Sequence, residues 1–155
     1  MKDISKLTEY IGKFTDKAIA NVAKAQRETA EKVWDDIVQD APMDTGNYVS
    51  SIKLGDTVKV GDTISTEIYT NATVSTMGGK TYNLGYLLEN GTSPHLIEPV
   101  AANVLHFQIN GEDIFAKRVY HPGTKAQPHF VTNLMKNKSL YKENIRKAVK
   151  EAKNG

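Results

Sequence analysis

From Ile4 to Val38 apolar residues recur at three- and four-residue steps, and no proline interrupts them before Pro42. Leu7, Ile11, Phe14, Ala18, Val22 and Ala25 lead the stripe, and Val33, Trp34, Ile37 and Val38 close it. A repeat near 3.6 residues places these side chains on one helical face, so one long helix is expected over about residues 4–40. Asp3 is a candidate N-cap, and Glu9–Lys13 and Glu28–Lys32 have the i,i+4 spacing of favourable ion pairs. Pro42 ends the run by disfavouring helical geometry at Ala41. Only Gly12 weakens it, by about 1 kcal/mol relative to Ala. Such a helix is longer than globular domains usually hold, so part of it is expected to outrun its own domain and pack on a neighbouring subunit.

Between about residues 51 and 120 the pattern changes to β-branched and aromatic residues alternating with polar ones, punctuated by Gly55, Gly61, Gly91 and Gly111. Lys53–Val60 and Thr63–Asn71 flank Gly61-Asp62, and Val104–Ile109 and Asp113–Tyr120 flank Asn110-Gly111. Both dipeptides suit two-residue hairpins, the second most strongly, because a type I′ turn needs positive φ at both central residues. Two hairpins predict an antiparallel sheet of about four strands. The stretch 71–81, with Met77-Gly78-Gly79-Lys80 at its centre, is too polar and Gly-rich for a core element and reads as a mobile loop. Tyr82–Leu88 reads as a short helix with a left-handed residue after it, at Asn90-Gly91. Beyond Pro122 and Pro128, the residues Phe130, Leu134, Met135, Tyr141, Ile145, Ala148 and Val149 form a second helical stripe over about 128–153, with a break near Asn137 to Ser139. The expected fold is α+β, two long helices packed on the sheet. At 155 residues, without an internal repeat or a low-complexity linker, the chain is expected to be one domain.

The residues offer little for chemistry. His95, His106, His121 and His129 lack the spacing of a helical zinc pair, and there is no cysteine. His95, His121 and His129 each adjoin a proline, so a three-histidine cluster is one reading; separate surface or turn histidines is the plainer one. No Gly-x-Ser-x-Gly elbow appears. Asp35 and Asp36, as i,i+1 neighbours, face different directions on a helix, and a solvated face explains them and Asp40 better than an acid/base pair. Gly78-Gly79-Lys80-Thr81 resembles the end of a phosphate-binding loop, but Val74 stands where that pattern starts with glycine. The chain is therefore expected to be no enzyme and to hold no cofactor and no metal.

Twenty basic residues against 18 acidic give a net charge of +2, too little to argue for nucleic acid from bulk charge. From Lys136 to Lys153, however, six Lys and one Arg stand against two Glu. That suits the solvated face of an amphipathic helix or a surface for an acidic partner. Lys117, Arg118 and Lys125 lie near Tyr120 and His121, a mixture able to touch phosphates and stack a base; charges that keep a hairpin edge from pairing are the plainer reading. No run approaches the roughly 20 apolar residues needed to span a bilayer, and the N-terminus lacks the apolar core of a secretion signal. Cytosolic synthesis without a membrane partner is expected.

Three motifs in order carry a resemblance. Ala41-Pro42-Met43-Asp44-Thr45-Gly46, with Ser51-Ile52 after it, follows the long helix. Tyr86-Leu87-Leu88-Glu89-Asn90-Gly91-Thr92 comes next, trailed by Pro94-His95 and Ile97-x-Pro99. His121-Pro122-Gly123-Thr124-x-x-Gln127-Pro128-x-Phe130 leads into the last helix. Together they resemble the tail-completion, or head–tail joining, family of long-tailed bacteriophages, the gp-ten-like neck proteins. Tyr48 departs from that family's usual Leu, and His129 stands where Phe is more common. Within the motifs, Asp44 or Thr45 is expected to cap a short helix and Gly46 to permit close approach. Glu89 is expected to accept from loop amides near Gly91 and Thr92, and His121-Pro122-Gly123 to turn the chain from sheet to helix.

The resemblance implies a structural virion protein of the neck or tail, assembled in the cytoplasm of the infected bacterial host. It would join the head connector to the tail, or complete the tail end, as a homo-oligomeric ring, a hexamer or dodecamer, among other phage neck and tail proteins. Passing contact with genomic DNA would then fall to Lys117, Arg118 and Lys125. The alternatives are a minor tail protein elsewhere in the tail and a nucleic-acid-binding module that uses those residues and the basic last helix.

Overall fold

The computed structural model describes residues 4–44, 46–75, 79–100 and 102–154. The candidate caps Asp3 and Thr45 lie outside the described residues, as does Met77-Gly78. The fold is α+β, with a long helix near the start and another at the end. Its described parts form two compact units interleaved along the chain. One takes Met1–Ala41, Ile52–Tyr69 and His129–Gly155, and the other takes Pro42–Ser51 and Thr70–Pro128.

The first unit is built on α1 (Ile4–Asp40), 37 residues without a break, about 55 Å of helix. Its second half is amphipathic and buries Ala25, Thr29, Ala30, Val33 and Ile37. Against this face packs α5 (Lys138–Asn154), whose Ala148 and Ala152 are buried. Small side chains let the helices approach closely, and Asn21 and Asn144 bridge them. Asn21 donates to the Ala148 carbonyl (3.2 Å) and Asn144 to the Thr29 hydroxyl (3.0 Å). The hairpin of β1 (Ile52–Val60) and β2 (Thr63–Thr70) turns at Gly61-Asp62 as expected, with Gly61 at φ 58°. Trp34 Nε1 donates to the Ile52 carbonyl (3.2 Å), and Arg27 Nη1 to that of Gly55 (2.7 Å). These bonds tie β1 to α1.

The expected break in the last helix falls at Asn137, between α4 (Phe130–Lys136) and α5. Its cause is polar. Asn137 Nδ2 donates to Asp36 Oδ2 (2.8 Å), and Asn133 Nδ2 is surrounded by Asp40 Oδ2 (2.9 Å), the His129 carbonyl (2.9 Å) and the Asp36 carbonyl (3.3 Å). Lys32 Nζ donates to the other oxygen of Asp36. The expected Glu28–Lys32 pair is therefore replaced. Lys32 turns to the buried Asp36, which needs a cation more than the exposed Glu28 does, and Glu28 pairs at 3.9 Å with Lys24 instead. Glu9–Lys13 forms as expected, at 2.6 Å.

In the second unit, α2 (Asn47–Ser50) is followed by β3 (Thr73–Ser75) and β4 (Thr81–Asn83), which pair antiparallel. The mobile-loop reading of 71–81 is corrected at both ends: alternating Thr, Val and Tyr side chains suffice for a short ladder. α3 (Leu84–Asn90) starts two residues later than the apolar run, because Asn83 is still extended and caps it, its Oδ1 accepting from the Tyr86 amide at 2.9 Å. β6 (Leu105–Ile109) and β7 (Glu112–Ala116) form the Asn110-Gly111 hairpin, with φ of 53° and 85° at the turn. His106 lies opposite Phe115, their rings stacked at 4.6 Å, while Leu105 is buried on the other face.

The strand expected to run on to Tyr120 stops at Ala116. Lys117 and Arg118 redirect it, and β8 (Val119–His121) pairs antiparallel with β5 (His95–Ile97). Among the described residues all four ladders are two-stranded, where alternation had suggested one sheet of about four strands. Alternation says which residues are extended and leaves their partners open.

Candidate functional site

All three motifs contribute to the second unit, and two of them lie side by side. β5 and β8 place His95 opposite His121 with rings stacked at 5.0 Å. One step beyond, Thr92 and Thr124 exchange main-chain hydrogen bonds of 2.9 and 3.2 Å, and the Thr92 hydroxyl lies 2.8 Å from the same Thr124 amide. Further on, the Gln127 amide donates to the Leu88 carbonyl (2.8 Å), satisfying an acceptor left open at the end of α3. The segment 121–128 is thus the antiparallel partner of 88–95.

The glycines of both motifs sit where this crossing is tightest. A Cβ on Gly91 would stand 2.5 Å from the Thr124 carbonyl oxygen, and one on Gly123 would stand 2.2 Å from that of Thr92. Gly91 was expected to be left-handed. Its φ of 71° with ψ of −174° belongs instead to a region open essentially to glycine alone. The Gly123 amide donates to His121 Nδ1 (3.1 Å), which closes the turn at Pro122.

The first motif enters through a cleft of 440 Å³ lined by Pro42, Asp44, Gly46 and Tyr48, by Leu84 and Leu88 of α3, and by Gln127. Asp44 is not the N-cap of α2. The cap position belongs to Gly46 (φ 81°), whose carbonyl accepts from the Ser50 amide at 3.0 Å, so the Asp44 capping expectation is corrected. Nothing lies within 4 Å of a Cβ built on Gly46. It is needed for its left-handed φ rather than for close approach.

Tyr48, the departure from the family pattern, is only 8% exposed and takes the buried place a Leu would have. Burial, with the Glu89 carboxylate as a second cause, pushes its phenol up to about 12. Glu89 thus acts on Tyr48 through its charge, and the Thr92 amide expected to bind it donates to Thr124.

Of the three prolyl-flanked histidines, His95 and His121 meet. His129 is buried in the first unit (1% exposed), its ring tilted against Phe130, which corrects its reading as a surface histidine. No group of three or more His, Asp or Glu among the described residues is placed to hold a metal. Lys117 and Arg118 precede β8 and Lys125 lies beyond its far end, all exposed. Sequence reasoning missed the Asp36–Asn133–Asn137 network. Its one trace is a pair of Asn four residues apart in an apolar helical stripe, where Asn is poorly suited.

Residues 5–91 match the model of the HK97-gp10-like family, described as "Bacteriophage HK97-gp10, putative tail-component". The chain belongs to this family. The match covers more than half of the sequence, including the first two motifs up to Gly91. No curated protein and no solved structure matches. The chain is accordingly a structural protein of a phage particle, of the tail-component kind, and works among other phage tail proteins. Among the described residues no helix is long and apolar enough to cross a membrane.

Proposed function

We propose that this phage tail-component protein is a ring subunit of the neck or tail-completion assembly, connecting the head connector to the tail. In this reading it catalyses nothing, needs no cofactor, and assembles as a hexamer or dodecamer in the host cytoplasm. One observation carries the proposal. Every described residue of α1 before Phe14 is exposed, yet this end carries the apolar row Ile4 (78% exposed), Leu7 (57%) and Ile11 (53%). A helix end that presents i, i+3 and i+7 anchors to solvent is suited to lie in a groove of another subunit. Such a head-to-tail contact closes into a ring when the rotation allows it.

The test is light scattering on the purified protein with electron microscopy of isolated neck and tail complexes. A ring that accounts for this chain is the expected result. Leu7→Glu with Ile11→Glu should abolish it without changing the circular dichroism of the subunit, since neither side chain belongs to its own core. Neck and tail complexes in which no ring accounts for the chain would sink the reading, and density for it only at the tail tip would favour the minor tail protein instead.

A further inference from the structure

Lys138, Lys142, Arg146 and Lys150 climb α5 at four-residue intervals, about 6 Å apart along the axis, and Lys153 falls in the same sector. All five are exposed, and none forms an ion pair within the described residues, Glu143 and Glu151 included. The opposite face of α5 is occupied: Asn144 and the Ala148 carbonyl bond to α1, and Ala148 and Ala152 are buried. The cations therefore point to solvent. Like charges at i,i+4 oppose one another, and α5 holds six basic residues against two acidic ones in a chain of net charge +2.

We propose that this face of α5 is a docking strip for the phosphate backbone of duplex DNA, read without regard to sequence. Charge complementarity carries the choice of partner. An evenly stepped row of cations, winding by about 40° per step around the helix, faces a polyanion with about one charge per 1.7 Å of axis. A protein partner fits less well, because the centre of a protein interface is depleted of charge and built on apolar or aromatic anchors. Exposed large apolar side chains near the row are few, Tyr141 next to Lys142 and Val149 next to Lys150. The cations of the row present only charge, and the one amide in line with them, Asn154, sits at the helix end, so positioning on phosphates rather than reading of bases is what the row can do. Lys117, Arg118 and Lys125 are not required: they flank a strand on separate loops and form no row.

The test is fluorescence anisotropy of the full-length protein with labelled duplexes of unrelated sequence, titrated with salt. The expected result is binding at low salt with a log–log slope of about −4, near 0.9 per phosphate contacted. K142E/R146E should weaken binding at least about tenfold and flatten the slope by about 2, while K117E/R118E should leave both unchanged. K142Q/R146Q, with circular dichroism, separates lost charge from lost helix. The proposal is overturned by no retention of duplex at low salt, or by loss of binding in K117E/R118E but not in K142E/R146E. Competition by polyglutamate as effective as by duplex of equal charge would also overturn it. Duplex binding by a chain for which no ring in isolated neck and tail complexes accounts would defeat the ring reading and leave this one standing.

Discussion

Thr92 and Thr124, 32 positions apart in the chain, exchange main-chain hydrogen bonds of 2.9 and 3.2 Å. This bridge explains why Gly-Thr occurs in two of the motifs. Each threonine holds the other's backbone, and the glycine before each lies where the opposite main chain leaves no space for a Cβ. The two motifs are the two sides of one crossing.

Gly123→Ala should therefore destabilise the second unit by roughly 2–4 kcal/mol, since its φ of 88° and a 2.2 Å approach to the Thr92 oxygen both exclude a side chain. Gly91→Ala should behave alike, with Thr124 as the obstacle. Gly12→Ala is the contrast: it lies inside α1, nothing stands within 4 Å of an added Cβ, and about 1 kcal/mol of stabilisation is expected. Denaturant unfolding measures all three. Equal effects at Gly12 and Gly123 would refute the account of the crossing.

The helices and both two-residue turns were legible because each rests on local signals. Periodicity and Pro42 bounded α1, and Asn110-Gly111 marked its hairpin. Even the break at Asn137 showed in the stripe, although its cause did not. The partner of each strand was not legible. β8 resembles a continuation of β7, and only the tertiary bridge to β5 separates them. The motif residues were marked by their glycines, yet the reason for those glycines lies on another stretch of chain. Asp36, within an acidic run that suggested a solvated face, proved to be a buried acceptor for Lys32 and Asn137.

That placement gives acid stability a specific source. The hydrogen bond from Lys32, then that from Asn137, holds the Asp36 carboxyl below its usual value, against the opposing effect of burial. A carboxyl depressed by folding contributes stability that is full above its unfolded value of about 4 and is lost as pH falls through the folded value. Asp36→Asn should cost about 1.5–3 kcal/mol at neutral pH, the range for a hydrogen bond to a charged group. It should also flatten the acid limb of the stability profile below about pH 4. An unchanged acid limb would show that Asp36 is not its source.

At the alkaline end the sign is reversed. The Tyr48 phenol is raised from 10.0 to about 12, first by burial and then by the Glu89 carboxylate. Folding thus favours its neutral form, a contribution full below about pH 10 and lost as pH rises through about 12. The tyrosinate absorbance of the wild type, less that of Tyr48→Phe, should develop near pH 12 and accompany loss of structure. Glu89→Gln should move that difference to lower pH by removing the like charge, but not fully to the ordinary value, because burial is the larger cause. A wild-type difference already complete near pH 10 with the fold intact would mean that Tyr48 is open to water and that the first motif does not close over α3.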